Sequence, residues 1–238
     1  MSKTVAAILA GGSGTRMGQP IPKQFLSIND KPVIIYALES FQTHPEVDEI
    51  VVACSEGWDM VLRAFARQFG VTKLVDVVPG GDSGLSSTGN VVRAIEGGHG
   101  PDDVVLVHDA VRPMVPRKVI SDCVRVARRH GAALPVLPSI DSMYVTVDGE
   151  VTREEYPRDS LKRGYSPLGF RLGLLAECLR EGRERGLEGL GSIGPLMTAL
   201  GREMHLFPGS SLSFKLTTVE DIELFKAMLE TERPVWLR

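Results

Sequence analysis

Near the start of the chain, a glycine-rich stretch is followed by two basic residues, a combination that could bind a polyphosphate. The stretch reads Leu9-Ala10-Gly11-Gly12-Ser13-Gly14-Thr15-Arg16-Met17-Gly18, and Pro22-Lys23-Gln24-Phe25 follows. Because glycine has no Cβ, backbone N–H groups of such a loop can approach phosphate oxygens closely. Fixed cations stabilise the charge that develops on a triphosphate under nucleophilic attack. We interpret Arg16 and Lys23 as candidate catalytic residues, and the loop as nucleotide-binding through Leu9, Ala10, Gly11, Gly12 and Gly14.

Two other glycine-rich motifs fit this spacing poorly. A P-loop ends in Gly-Lys-Ser or Gly-Lys-Thr, and the chain contains neither tripeptide. A dinucleotide-binding fingerprint has two residues before its last glycine, whereas three residues separate Gly14 from Gly18. The second predicted strand ends in Ala53-Cys54 and offers no acidic residue to bind a ribose. A dehydrogenase is therefore disfavoured, and a solvated turn with surface cations is the structural alternative.

Short apolar runs alternate with longer amphipathic stretches along the chain. The runs predicted to be strands are 5–10, 49–54, 73–78, 104–108, 132–137 and 204–207, and the clearest helical spacing covers 32–41, 58–69, 171–185 and 219–231. Continuous Val, Ile and Leu runs indicate strands covered on both faces, and hence a mostly parallel sheet with crossover helices. This predicts a doubly wound, Rossmann-like α/β fold whose ligands bind beyond the carboxyl ends of the strands.

Residues 143–152 follow a different pattern, because apolar and polar residues alternate around Asp148-Gly149. This dipeptide is typical of a type I′ hairpin turn. Since an isolated hairpin has little core of its own, we expect residues 139–164 to form a projecting β-hairpin arm that packs on a partner subunit. The chain is then a single domain over 1–238 that forms a homodimer. An exposed, solvated hairpin is the alternative.

The composition disfavours several classes of partner. A formal net charge of -3 gives no general attraction to nucleic acid or to acidic membranes. Cys54, Cys123 and Cys178 lack metal-binding spacing and are expected to be reduced thiols. No apolar stretch approaches the roughly 20 residues that span a bilayer, and the first residues lack the apolar region of a signal peptide. We expect a cytoplasmic protein that binds neither nucleic acid nor membrane.

The loop and several later motifs resemble the cytidylyltransferases of sugar-alcohol phosphates, whose best-known branches use 2-C-methyl-erythritol 4-phosphate and ribitol 5-phosphate. The later motifs are Pro79-Gly80-Gly81-Asp82, Val107-His108-Asp109-Ala110-Val111-Arg112-Pro113, Asp141-Ser142, Arg158, Ser166-Pro167 with Phe170, and Lys215-Leu216-Thr217-Thr218. The resemblance runs nearly end to end, and the sequence of the loop and of residues 215–221 is closer to the ribitol branch. It implies a nucleotidyltransferase domain that transfers CMP from CTP to a phosphorylated polyol or related phosphonate and releases pyrophosphate.

The resemblance also implies roles at the phosphates. Arg16 and Lys23 would bind the triphosphate, and Lys215 would lie beside the α-phosphate as a third catalytic cation. Asp109 would bind the nucleotide through Mg²⁺, a hard cation that prefers oxygen ligands; an aspartate after a strand is otherwise a helix cap or a turn residue. Arg112 would face the phosphate of the acceptor.

Two further sets of residues are implied by the same resemblance. Gly81, Asp82 and Ser87 would recognise the cytosine base, although position 87 also looks like the start of a helix. Ser142 and Arg158 lie at the two ends of the predicted arm. In the family, the equivalent residues come from the partner subunit and bind the acceptor phosphate.

The chain departs from the family pattern at several positions. They are Gly84 in place of an arginine, Gly191-Ser192 near a usual Thr-Asp pair, Tyr165-Ser166-Pro167-Leu168 in place of Gln-Thr-Pro-Gln, Leu212 in place of an acidic metal ligand of the erythritol branch, and Ser213 in place of asparagine. Since the predicted triphosphate ligands are retained, we expect an enzyme with an altered acceptor pocket. The alternatives are a nucleotide-binding pseudoenzyme or interaction subunit, and a UTP-dependent sugar-phosphate nucleotidyltransferase.

Overall fold

The computed structural model describes residues 2–12 and 21–231 of the chain. The strands in these residues are β1 (Thr4–Ala10), β2 (Ser27–Ile28), β3 (Lys31–Pro32), β4 (Glu49–Cys54), β5 (Leu74–Pro79), β6 (Val104–Asp109), β7 (Ala132–Pro138), β8 (Met143–Val145), β9 (Glu154–Tyr156), β10 (Lys162–Gly164), β11 (Leu168–Arg171) and β12 (His205–Pro208). The α-helices are α1 (Val33–Gln42), α2 (Asp59–Gln68), α3 (Gly84–Ile95), α4 (Arg117–His130), α5 (Leu172–Glu184), α6 (Ile193–Ala199) and α7 (Val219–Glu230).

An eight-stranded mixed sheet runs through the centre of the molecule in the order β10-β7-β11-β6-β1-β4-β5, with β12 paired to β7. β1 pairs in parallel with both β4 and β6, and β5 lies parallel to β4. β11 inserts antiparallel between β6 and β7. The predicted mostly parallel sheet is confirmed. The short antiparallel strands β10 and β11 were not predicted.

Both faces of the sheet are covered, which explains why its central strands are apolar without interruption. In β1, Ala6 and Ile8 belong to a core that includes residues of α1, α2 and α4. Val5 and Ala7 belong to a second core with residues of α3, α5 and α6. Successive side chains of a strand point to opposite faces, so these two cores lie on opposite sides of the sheet. The doubly wound prediction is confirmed.

The parallel register aligns the carboxyl ends of four strands at one edge of the sheet. Leu9 pairs with Asp109 at the end of β6, Ala10 pairs with Cys54 at the end of β4, and Cys54 pairs with Pro79 at the end of β5. The segments that follow β1, β5 and β6 therefore leave the sheet side by side. Ligands of open α/β sheets bind at this edge.

Within the segment 139–164 that was predicted to be an arm, β8 and β9 form a separate two-stranded sheet, whereas β10 pairs with β7 in the central sheet. The predicted type I′ turn at Asp148-Gly149 is wrong, because Val145 pairs with Glu154 and the strands are joined by the loop 146–153. A type I′ turn needs positive φ at both central residues, and of this pair only Gly149 has it, at 81°. The Asp148 carboxylate instead accepts the N–H groups of residues 150 and 151, at 2.9 and 3.1 Å.

Within residues 2–12 and 21–231, no helix has the length and apolar character needed to cross a membrane. All three cysteines are buried free thiols.

Candidate active site

A cavity of about 1100 Å³ lies at the carboxyl edge of the sheet. The predicted site residues that line it are Leu9, Ala10, Gly11, Gly12, Lys23, Gly81, Asp82, Ser87, Asp109, Arg112 and Lys215. Gly14 and Arg16 lie outside the described residues. Among the described residues, Ser142 and Arg158 are on the exposed arm segment and do not line this cavity. The structure therefore brings the predicted nucleotide residues together and leaves these two acceptor residues apart from them.

The glycine-rich loop after β1 packs against the loop after β5, backbone to backbone. A Cβ added to Gly80 would lie 2.6 Å from the Cα of Gly11, and one added to Gly11 would lie 3.0 Å from the Cα of Gly80. The Gly80 N–H also donates to the carbonyl of Cys54 at 2.6 Å. Side chains at either glycine would separate the two loops. Glycine at both positions thus holds the predicted base-recognition loop against the predicted phosphate loop.

Ser87 is buried beside this junction. Its Oγ accepts the N–H of Gly81 at 3.0 Å, which leaves the hydroxyl proton to donate elsewhere. Helix α3 begins at Gly84, with Ser83 as N-cap accepting the N–H of Ser86 at 3.0 Å. Position 87 therefore lies within the first turns of a helix and also lines the cavity, so the two interpretations of this serine are compatible.

Across the cavity, Asp109 lies between two cations. Its Oδ2 is 3.1 Å from the Nζ of Lys215 and 3.2 Å from the Nε of Arg112. Arg112 also donates through Nη1 to the carbonyl of Ser213 at 2.7 Å, and the N–H of Leu216 donates to the carbonyl of Val111 at 2.9 Å. These contacts attach the segment before α7 to the end of β6. They explain how Lys215 reaches a site built from the first half of the chain.

The charge state of Asp109 follows from its neighbours. Burial, the largest influence, raises the pKa of this carboxyl, but the charges of Lys215 and Arg112 together outweigh it, and the pKa lies below its ordinary value. Asp109 is therefore an ionised carboxylate at neutral pH.

His108 and Ser166 support this cluster from behind and were missed as a pair by sequence reasoning. The Nε2 of His108 lies 3.0 Å from the Arg112 carbonyl, and its Nδ1 lies 3.0 Å from the Ser166 Oγ. A carbonyl can only accept, so Nε2 carries the proton and the Ser166 hydroxyl donates to Nδ1. The same Oγ accepts the N–H of Asp109 at 3.2 Å. Since the imidazole is buried, its pKa is lowered to about 4, and it supports the cluster as a neutral ring.

The residues around Asp109 fit a metal ion that binds together with substrate phosphates better than an ion held by protein ligands alone. In the part of the chain that the structure describes, no group of three or more His, Cys, Asp or Glu side chains could hold a metal. Mg²⁺, however, is commonly bound through one or two carboxylates, with substrate phosphates and waters as its other ligands. An ionised carboxylate in a cavity lined by Lys23, Arg112 and Lys215 fits that mode of binding.

The remaining wall of the cavity is uncharged. Its residues include Leu134, Gly164, Tyr165, Ser166, Leu168, Gly191, Ser192, Ile193, Gly194, Pro195, Thr198 and Met204. Two departures from the family pattern meet on this side. A Cβ on Gly84 would lie 3.1 Å from the Gly191 carbonyl and 3.8 Å from the Cβ of Ser192. The missing arginine and the missing Thr-Asp pair are thus one local change beside the cavity.

A glycine-rich loop and a cluster of cations, facing each other at the carboxyl edge of a doubly wound sheet, characterise a nucleotidyltransferase. A family model for 2-C-methyl-D-erythritol 4-phosphate cytidylyltransferase (IspD) matches residues 4–231. The chain belongs to this family.

Similar proteins come from both branches that the sequence resembles. The chain is 35% identical over 226 residues to a ribitol-5-phosphate cytidylyltransferase of Lacticaseibacillus paracasei, covering 94% of this chain and 97% of the relative. It is 34% identical over 229 residues to the Vibrio parahaemolyticus enzyme of the same name, covering 96% of each. It is also 34% identical over 230 residues to a 2-C-methyl-D-erythritol 4-phosphate cytidylyltransferase of Geotalea uraniireducens, covering 96% of this chain and 97% of the relative.

Solved structures confirm the fold. A 2-C-methyl-D-erythritol 4-phosphate cytidylyltransferase from Thermus thermophilus superposes with a TM-score of 0.74 at 27% identity, over 97% of this chain and 100% of the other. A crystal structure of 4-diphosphocytidyl-2C-methyl-D-erythritol synthase gives a TM-score of 0.79 at 24% identity, over 97% and 99% of the two chains.

Proposed function

We propose that this enzyme transfers CMP from CTP to a phosphorylated polyol and releases pyrophosphate, with ribitol 5-phosphate as the preferred acceptor. One observation carries the proposal. A single cavity joins the loop of Gly81 and Ser87, the glycine-rich loop, and the cluster of Asp109, Arg112 and Lys215. These are the three parts needed to bind a base, a triphosphate and an incoming phosphate. The ribitol-5-phosphate cytidylyltransferases among the relatives support this choice of acceptor.

The chemistry needs charge and alignment and does not need a general base. A phosphate oxygen of the acceptor attacks the α-phosphorus of CTP, the new P–O bond forms as the bond to the bridging oxygen breaks, and pyrophosphate leaves with the electron pair. A phosphate dianion is already nucleophilic, so the protein contributes positioning and neutralisation. Lys23 and Arg16 would neutralise the triphosphate, Lys215 the α-phosphate, and Arg112 the incoming phosphate.

Mg²⁺ is the proposed cofactor, and Asp109 is the residue that would hold it. When bound, the ion would neutralise phosphate charge and orient the triphosphate. The Oδ2 of Asp109 contacts the two cations that are proposed to bind the phosphates, so the metal would lie next to them. We also infer that the enzyme acts in the cytoplasm; its three free, buried cysteines are compatible with a reducing compartment.

The uncharged wall supports an acceptor whose body carries no charge, such as a polyol. Hydroxyl groups on this wall include those of Tyr165, Ser192 and Thr198. A carboxylate or an ammonium group on the acceptor would be desolvated here without a partner of opposite charge, which is unfavourable. The local change at Gly84 and Gly191 is the feature that distinguishes this pocket from the family pattern.

A homodimer is the proposed assembly, with the arm supplying Ser142 and Arg158 to the partner's site. Large apolar side chains are exposed on the arm segment, including Ile140 at 70%, Tyr144 at 60% and Val151 at 60%. At the base of the arm, Arg158 donates to the carbonyl of Ile140 at 3.3 Å. Exposed apolar patches of this kind favour protein contacts.

Mixing two inactive variants tests this assembly. Arg158→Ala and Lys23→Ala are each expected to be inactive. In a mixed dimer, one site would regain both side chains, so a random mixture should recover about a quarter of wild-type activity. No recovery, together with a monomer mass by light scattering, would refute the shared site.

Pyrophosphate release from CTP tests the activity itself. The acceptors to compare are ribitol 5-phosphate, 2-C-methyl-D-erythritol 4-phosphate, and phosphate esters and phosphonates of similar size whose bodies carry a carboxylate or an ammonium group. We expect turnover with a polyol phosphate, and CTP well ahead of UTP. Binding of CTP without turnover on any acceptor would favour a pseudoenzyme. A preference for UTP would favour a sugar-phosphate nucleotidyltransferase.

A further inference from the structure

The side chain of Gln24 holds the two carbonyl groups that flank Gly11. Gln24 follows Lys23 in a short 3₁₀ turn and is only 2% exposed. Its Nε2 lies 2.7 Å from the Ala10 carbonyl and 2.9 Å from the Gly12 carbonyl. Both partners can only accept, so the amide nitrogen must face them, which fixes the orientation of the side chain. One buried amide therefore spans the beginning of the glycine-rich loop.

Ser55 reinforces the same contact from the end of β4. Its Oγ donates to the Ala10 carbonyl at 2.8 Å and accepts from the Nε2 of Gln24 at 3.1 Å. Its backbone N–H also donates to the Ala10 carbonyl at 3.1 Å. This carbonyl thus receives three donors, and its direction is firmly set.

Gln24 is itself held in place by its neighbour in the turn. The ring of Phe25 stacks on Trp58 with centroids 4.5 Å apart and planes 20° from parallel, and the N–H of Phe25 donates to the Pro22 carbonyl at 2.8 Å. The turn that presents Lys23 to the cavity therefore also presents Gln24 to the loop.

The direction of these carbonyls matters for an anion. A trans peptide is planar, so its carbonyl and the following N–H point in opposite directions. With the Ala10 carbonyl directed at Gln24, the N–H of Gly11 points away from it. Carbonyl oxygens directed at a phosphate would repel it, whereas N–H groups attract it. Gln24 keeps the two carbonyls engaged on its own side of the loop.

We propose that Gln24 is a positioning residue for the triphosphate of CTP, acting through the carbonyls of Ala10 and Gly12 with Ser55 as its support. This inference rests on the proposed function, because CTP is the ligand that it names. It predicts that CTP binding depends on the ability of the side chain at position 24 to donate hydrogen bonds, and not only on the volume of that side chain.

Gln24→Glu replaces that donor by a negatively charged acceptor. Glutamate has nearly the same shape, but an ionised carboxylate has no proton to donate and would face three oxygens at hydrogen-bond distance. Burial among acceptors raises the pKa of a carboxyl, so protonation at lower pH would return one donor. The defect should therefore weaken as the pH falls, which the loss of a merely space-filling side chain would not do.

The experiment measures CTP binding by calorimetry for the wild type, Gln24→Glu and Ser55→Ala, at about pH 8 and about pH 6. Gln42→Glu is the matched control, because Gln42 also bridges two groups, the Thr72 Oγ1 at 2.9 Å and the Lys73 N–H at 2.8 Å, away from the cavity. At the higher pH, we expect Gln24→Glu to weaken binding by about 10- to 100-fold and Ser55→Ala by less. Gln42→Glu should bind CTP as the wild type does.

The ratio of the Gln24→Glu and wild-type dissociation constants decides the inference, because it cancels the titration of CTP itself. We expect this ratio to fall severalfold at the lower pH, with binding measured below the melting temperature of each variant. A ratio within about twofold of one, or a large ratio that does not change with pH, would overturn the positioning role. A wild-type chain that bound no CTP would instead overturn the proposed function, and the inference with it.

Discussion

The ammonium group of Lys215 lies 3.1 Å from the Oδ2 of Asp109, although the two residues are 106 positions apart in the chain. Arg112 approaches the same oxygen to 3.2 Å. The carboxylate therefore orients two cations toward one cavity before any ligand is bound. Such pre-organisation reduces the reorganisation needed when charge develops in a transition state. That cluster and the glycine-rich loop opposite it form the proposed catalytic centre.

Replacing Asp109 by asparagine should remove the proposed metal ligand and the partner of two cations. We expect Asp109→Asn to lower kcat/KM by about 100-fold or more and to weaken the dependence on Mg²⁺. Asp122→Asn is a matched control, because Asp122 also lies between two cations, Lys118 and Arg125, at 2.6 and 2.8 Å, on α4. Steady-state kinetics over a magnesium titration would check this. Equal effects of the two substitutions would show that Asp109 has no special role.

Lys23 is predicted to stabilise the triphosphate in the transition state. Lys23→Ala should therefore lower turnover by about 100-fold or more, which corresponds to roughly 3 kcal/mol. The same loss is expected for Arg16→Ala. Single-turnover release of pyrophosphate measures the chemical step, and Lys118→Ala, which removes a surface cation, serves as the control. Near-normal turnover of the Lys23 variant would mean that the triphosphate binds elsewhere.

Ser87 is predicted to contribute to the choice of base. Its hydroxyl is buried, already accepts the N–H of Gly81, and has its proton available for a ligand. Ser87→Ala should reduce the preference for CTP over UTP by about tenfold, because a hydrogen bond to the base is lost. The neighbouring Ser86, whose side chain is exposed, provides the control Ser86→Ala. An unchanged ratio of kcat/KM values for the two nucleotides would remove Ser87 from base recognition.

The buried His108 should make the fold sensitive to acid. Burial lowers its pKa to about 4 in the folded chain, whereas histidine in an unfolded chain titrates near 6.5. Between these two pH values, the unfolded chain binds a proton that the folded chain excludes. The free energy of unfolding is therefore largest above about pH 6.5 and decreases as the pH falls toward 4. At about pH 5, this loss is roughly 2 kcal/mol.

The substitution His108→Gln tests this linkage, since glutamine does not titrate. Urea unfolding at about pH 7 and pH 5 should show a smaller acid loss for the variant than for the wild type, by roughly 2 kcal/mol. The same loss in both proteins would mean that the acid sensitivity arises from other groups.

The long elements of the fold could be predicted from sequence because their patterns are strong. The uninterrupted apolar run of β1 follows directly from burial on two faces, and the helical spacing of α7 gives its start at Val219. The strand β11 carries no such signal. It is four residues long, contains Gly169, and is a strand only because β6 and β7 pair with it on both sides.

The parts of the candidate site whose chemistry requires a particular residue type could be predicted from the sequence. The parts that depend on the direction of a backbone group in the folded chain could not. Glycines before cations indicate a phosphate loop in the sequence itself. Gln24 and His108 act through carbonyl groups whose directions are set only by the folded chain, and no spacing rule reveals them. The type I′ turn failed for a related reason, because the carboxylate of Asp148 accepts backbone N–H groups of a longer loop.

A crystal structure with CTP and Mg²⁺ tests the central claim most directly. We predict the triphosphate against residues 9–12 and beside Lys23, the base at Gly81 and Ser87, and the metal at Asp109. Nucleotide bound at another surface, with the space between the glycine-rich loop and Lys215 left vacant, would contradict it.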